Sequence, residues 1–188
     1  MTDVTEWDLC VLEAESDEAL CAAYFAIYLA DYVQAEVRDW AGRRILFHRP
    51  TFDHAFSESS NYRTSAGVHD VPFSLSRAQR IHWIRKALAA EDVDVDVIGQ
   101  TRMDSRGRPK RRRTLIVIEN RYVVVLQLSE REGYDYEFVT AFQPNAAYLV
   151  KIRQDGALME KRRPKKSPSL MATEAQPSSK ALGEGTES

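Results

Sequence analysis

Two stretches hold side chains suited to phosphate chemistry. Phe52-Asp53-His54-Ala55-Phe56 sets an imidazole among aromatics, and Ser74 to Arg85 reads as a helix carrying Arg77 and Arg80. On a helix advancing about 100° per residue, Ile81, Ile84 and Leu88 share a narrow apolar arc, and Arg77 falls in its middle. An unpaired buried charge costs several kcal/mol. Arg77 therefore either pairs structurally, with Asp53 or Glu58 as candidates, or helps build an anion site. His54 has a plain alternative as well, capping or filling the edge of the core.

A second source of positive charge is Arg102 to Arg113, where Arg102, Arg106, Arg108, Lys110, Arg111, Arg112 and Arg113 fall between two strand-like runs. The stretch reads as a solvated hairpin loop or as an arm tracking nucleic-acid phosphates. Lys161-Arg162-Arg163-Pro164-Lys165-Lys166 repeats the theme. Among the four histidines, His82 lies off the apolar arc and His69 in a loop. His48 and His54 lie near element boundaries, where positioned side chains are often found. No His-x-x-x-His, His-Glu-x-x-His, Gly-x-Ser-x-Gly or phosphate-cradling glycine pattern is present, so neither metal nor cofactor is expected. Cys10 and Cys21 lack a metal-ligand spacing. Metal-free RNA cleavage needs none of these devices, since the substrate's own 2′-hydroxyl is the nucleophile. A base, an acid and cations for the transition state are enough.

The elements that must position these groups follow from patterning. Ser16 caps a long helix expected over Asp17 to Trp40, with Leu20, Tyr24, Ile27 and Tyr28 at helical spacing. Its apolar body packs on its own domain or on a second copy of the chain, a homodimer through this helix. Arg43 to Phe47 reads as a short strand and the stretch around His54 as a short helix. Ser57 to Val71 reads as a surface loop, and Ser76 with Gln79 has capping-box spacing. Val93, Val95 and Val97 alternate with aspartates. Thr114 to Ile118, Tyr122 to Leu128 and Tyr134 to Phe142 continue the strand signal, the last with Tyr136, Phe138, Thr140 and Phe142 on one face. These elements predict an α+β fold, with N-terminal helices packed on one face of a four-stranded antiparallel sheet. Asn145 to Ile152 adds a last strand or turn. The expected division is an acidic helical extension over 1–42, an α+β domain over 43–153, and a disordered basic, then polar tail over 154–188.

Charge is unevenly spread. Of 28 acidic and 26 basic residues, the first 40 positions hold ten acidic residues against Arg38 alone. The acidic segment is a candidate cover for the basic remainder. With no secretory leader and no apolar run near the roughly 20 residues a membrane span needs, a cytoplasmic protein is expected.

Phe52-Asp53-His54-Ala55-Phe56-Ser57-Glu58-Ser59, the Arg77-Ala78-Gln79-Arg80-Ile81-x-Trp83-Ile84 helix, the Tyr122 to Leu128 strand and Phe138-Val139-Thr140-Ala141-Phe142 resemble a nuclease group. It is the phage- and mobile-element-associated branch of the barnase, EndoU, colicin and RelE-like ribonucleases, over roughly residues 43 to 153. The resemblance implies an endoribonuclease of toxin or phage-conflict type, acting on RNA and held by an inhibitor or antitoxin protein. It would make His54 the general acid or base, Arg77 and Arg80 the transition-state clamps and Thr140 a hydroxyl beside the scissile phosphate. Glu58 would orient or act as a second acid/base. The alternative is a non-catalytic RNA-binding or protein-interaction module.

Overall fold

Ser16 does cap the first helix, its hydroxyl accepting from the amide of Ala19 at 3.2 Å. Helix α1 runs over Asp17–Tyr28 and continues into one π-helical turn, Leu29–Val33. Tyr24, Tyr28 and Tyr32 recur every four residues and are all but fully buried. A buried phenol needs an acceptor. Their hydroxyls donate to the carbonyls of Cys10 (2.6 Å), His48 (3.0 Å) and Ile81 (2.6 Å), tying three distant segments to one helix. The computed structural model describes residues 7–58, 72–103, 106–119 and 121–163. His69, nearly all of the expected Ser57 to Val71 loop and the tail from Pro164 lie outside the described residues.

The helix does not reach Trp40 as expected. After the π turn the chain forms strand β1, Val37–Arg38, which pairs antiparallel with β2, Arg44–Leu46. Helix α2, Thr51–Ala55, carries His54. The single helix expected from Ser74 is two, α3 (Leu75–Ala78) and α4 (Ile81–Ala89), broken at Gln79 and Arg80. The carbonyls at the break are taken by outside donors, the Cys10 amide at 2.7 Å and the Tyr122 hydroxyl at 3.4 Å. Arg77 therefore does not share a helix with the arc of Ile81, Ile84 and Leu88.

Four longer strands follow: β3 (Val95–Met103), β4 (Pro109–Val117), β5 (Tyr122–Leu128) and β6 (Tyr136–Phe142). Helix α5 (Ala146–Gln154), capped by Asn145, stands where a strand or turn was expected. Strand β7 (Ala157–Arg162) lies within the expected disordered tail.

The expected fold class is overturned. The sheet has seven strands in the order β1-β2-β6-β5-β4-β3-β7, is mixed because β2 runs parallel to β6, and curls into a half-barrel with few helices. Strands β3 to β6 are the antiparallel stretch. Strands β1 and β2 extend one side and β7 the other, so it is not a four-stranded sheet with helices laid on it.

The two faces of this sheet differ. One carries the main core, where Val95, Leu115, Val124 and Phe138 meet Trp83, Ile84 and the three tyrosines of α1 and its π turn. The acidic segment thus contributes Trp7, Tyr24, Tyr28, Tyr32 and Val37 to the same core as the sheet. The other face carries a smaller cluster, Ile98, Ile116, Val123 and Val125, partly covered by Ile152 and Leu149 of α5.

Candidate active site

Alternate strand residues point to opposite faces, so the pairing registers arrange the second face in rows. Asp96, Ile116, Val123 and Phe142 form one row, and Ile98, Thr114, Val125 and Thr140 the next. Gln100, Arg112, Gln127 and Glu137 form the third. A β-bulge between β5 and β6 lies where Val125 pairs Thr140 and Leu126 pairs Phe138. Strict alternation puts Tyr136, Phe138, Thr140 and Phe142 together. The bulge instead leaves Phe138 in the main core and turns Phe142 to the second cluster, with Thr140 on the row beside it.

Helix α2 packs along β6. His54, near its end, lies close enough to Arg112 and Arg77 to feel both charges. Arg77 donates through Nη1 to the carbonyl of Ala55 at 3.3 Å, and its guanidinium lies 5.3 Å from the centre of the Phe142 ring. The arginine is thus anchored to the helix of His54 and to the row beside Thr140. Arg112 enters from β4, two strands away.

The electrostatics follow from this crowding. Surrounding protein atoms lower the His54 pKa from its ordinary value of 6.5, and the charges of Arg112 and Arg77 push the same way. The imidazole is held toward its neutral form, the form a general base needs. His54 as a residue is nonetheless exposed. Burial also pushes the Arg77 guanidinium down, opposed by Glu58 and by Tyr122. Glu58 is exposed at the end of the α2 segment, its amide bonded to the Pro72 carbonyl at 2.9 Å.

His54, Arg77 and Arg112 are therefore brought together, with Thr140 on a row between those of Phe142 and Arg112. Arg80 turns elsewhere. It donates to the Ser76 carbonyl at 2.5 Å and stacks on Trp83 at 5.0 Å.

The basic stretch is not a loop, because Arg102 and Lys110 to Arg113 lie in the paired arms of β3 and β4. Arg102 pairs with Asp155 at 3.2 Å, and Lys110 with Glu130. Arg113 points to the main-core face. It is 4% exposed, pairs with Glu160 at 2.6 Å and lies 5.7 Å and 5.5 Å from the ring centres of Trp40 and Tyr136. Arg43 joins the same group through Asp39 at 2.6 Å and Glu160 at 3.3 Å. A sandwiched, paired and buried guanidinium serves packing. Arg106, Arg108 and Arg111 are exposed.

An open depression of about 670 Å³ lies among Arg111, Arg112, Tyr136, Leu128 and Met159, and its lining includes none of His54, Arg77 or Thr140. Among the described residues no group of three or more His, Cys, Asp or Glu is placed to hold a metal ion, and no helix is long and apolar enough to cross a membrane. Cys10 and Cys21 are free thiols.

The sequence named Arg112 only as one of seven basic residues in its run, with no mark to set it beside His54. The carboxylate of Glu137 was passed over, although a charge amid the apolar residues of β6 is a readable signal. No family model, curated protein or solved structure matches the chain.

Proposed function

We propose that this second sheet face binds a phosphodiester of RNA and cleaves it without a metal, by attack of the 2′-hydroxyl on the adjacent phosphorus. The observation that carries the reading is an imidazole held toward its neutral form by burial and, beside it, by two guanidinium groups drawn from separate elements. Neutral His54 takes the proton of the 2′-hydroxyl as the 2′-oxygen bonds to phosphorus. Arg77 and Arg112 offset the negative charge that builds on the non-bridging oxygens, the kind of preorganised stabilisation that contributes most in such reactions. Thr140 is assigned a hydrogen bond to one of those oxygens. The products are a 2′,3′-cyclic phosphate and a free 5′-hydroxyl.

The likeness to barnase, EndoU, colicin and RelE-like ribonucleases supports this reading through His54, Arg77 and Thr140 alone. A toxin or phage-conflict role, with an inhibitor protein as partner, is proposed on the same footing.

The test is cleavage of a short RNA in excess chelator, beside the same RNA with one 2′-deoxy residue at the cut position. The wild type should cut only the ribose form. His54→Ala should slow it by roughly 10²–10⁴-fold, the usual contribution of a positioned acid or base, while RNA binding persists. Binding with no cleavage by the wild type would leave an RNA-binding module in place of the enzyme.

A further inference from the structure

The reaction needs a second proton carrier. As the bond from phosphorus to the 5′-oxygen breaks, that oxygen must be protonated, and His54, having just gained a proton from the opposite side, cannot serve in an in-line displacement. Arginine holds its protons too tightly for the task. A second group on the same face is required.

Residue His48 follows β2. Leu46 lies opposite Glu137 in the parallel pairing, so two residues further on an extended chain turns His48 to the same face as Glu137. Its Nε2 lies 3.6 Å from Oε2 of Glu137, within ion-pair reach and longer than a hydrogen bond.

The carboxylate is itself fixed. Gln127 donates to Oε2 at 3.0 Å and Ser129 to Oε1 at 3.2 Å, and its side chain is only 18% exposed, against 42% for His48. The histidine backbone is pinned by separate groups, its carbonyl accepting from the Tyr28 hydroxyl and the Thr51 amide. The ring is thus presented to solvent from a pinned backbone, beside a fixed carboxylate, an arrangement common for proton-shuttling histidines.

Glu137 belongs to the row that holds Arg112. Strands lie about 4.8 Å apart, so Glu137 and Arg112 are separated by about 10 Å across β5. His54 senses Arg112 and His48 meets Glu137. One imidazole thus lies within electrostatic reach of Arg112 and the other beside Glu137 at the far end of the same row, with Thr140 on the adjoining row.

We infer that His48 is the general acid of the proposed cleavage and that Glu137 is its positioning residue. The inference rests on the ribonuclease reading above. The protonated ring of His48 delivers its proton to the departing 5′-oxygen as the P–O5′ bond breaks and the 2′-O–P bond forms. His54 then carries the proton from the 2′-hydroxyl, and exchange with water resets both rings. The two rings reach the face from different elements, His54 from α2 and His48 from the end of β2, as acid and base on opposite sides of an in-line displacement require.

The leaving group tests this directly. A dinucleotide whose 5′-oxygen is replaced by sulfur departs as a thiolate and needs no protonation. His48→Ala should cleave the oxygen substrate roughly 10²–10⁴-fold more slowly than the wild type, yet cleave the sulfur substrate within about tenfold of it. Glu137→Gln should show a smaller loss that the sulfur substrate also rescues, which a purely structural defect would not. His54→Ala should be slow on both substrates.

Equal slowing of His48→Ala on both substrates, or no slowing on the oxygen substrate, would overturn the assignment while leaving the ribonuclease reading intact. A wild-type protein that cleaves neither substrate would overturn that reading and this inference together.

Discussion

In the proposed reaction His54 is the base, and its surroundings make it costly to protonate in the folded chain. Crowding and the charges of Arg112 and Arg77 lower its folded pKa below the value of 6.5. The unfolded chain then binds more protons than the folded one between the two values, so stability rises with pH across that window. The sign is definite: the contribution is present above pH 6.5 and lost as the pH falls through the lower folded value. His54→Gln removes the titration. Urea midpoints of wild type and variant, followed between pH 7.5 and 5, should differ by an amount that changes across this range, the wild type falling more steeply. Parallel curves would mean that His54 titrates as it does in an unfolded chain. Arg113 makes the contrast at the same scale. It belongs to the same basic run as Arg112 and differs by one position, yet strand alternation puts it in a buried pair with Glu160.

At the scale of elements, the turn from α5 into β7 shows how closely the edge strand is laid down. A Cβ on Gly156 would lie 2.8 Å from the carbonyl oxygen of Gly99 and 2.4 Å from Cγ2 of Ile98, so backbone would have to move. A Cβ on Gly99 would meet the sulfur of Met159 at 2.4 Å, the far end of a flexible and exposed side chain. Gly156→Ala should therefore lower the denaturation midpoint more than Gly99→Ala and speed amide exchange along β7. Equal effects would show that Met159 is as fixed as the backbone.

The sequence made β3 to β6 readable because each is a long run of β-branched or alternating residues. Strand β2 lies within the short strand expected over Arg43 to Phe47, whereas β1 holds two residues, too few for a period, and β7 is charged along an exposed edge, so composition alone resembles a tail. Similarly, the break between α3 and α4 depends on the Cys10 amide and the Tyr122 hydroxyl, donors that no local pattern contains. The bulge in β6 had the largest consequence for the site. It alone separates Phe138 from Thr140 and Phe142, and it arises from pairing with β5, which the sequence of β6 does not reveal.

Across the whole molecule, the proposed site is assembled from α2, α3 and β4, segments dozens of residues apart that only the curled sheet brings to one face. The first 40 residues hold ten acidic side chains against one basic and the remainder is net basic, yet aromatic residues of this segment are built into the main core, where Tyr32 reaches Ile81 and Trp7 packs edge-on against Trp83. The acidic segment and the helices that carry His54 and Arg77 thus share one core. The claim that His54, Arg77 and Arg112 form a single phosphate site is tested most directly by titrating the His54 ring by NMR, with and without a nucleoside 3′-phosphate. The ring pKa should lie below 6.5 in the free protein and rise when the phosphate binds, because the anion offsets the two guanidinium charges. In Arg112→Ala the free pKa should rise and the response to phosphate shrink. A free value at or above 6.5, or a ring indifferent to saturating phosphate, would rule out a single phosphate site at His54, Arg77 and Arg112.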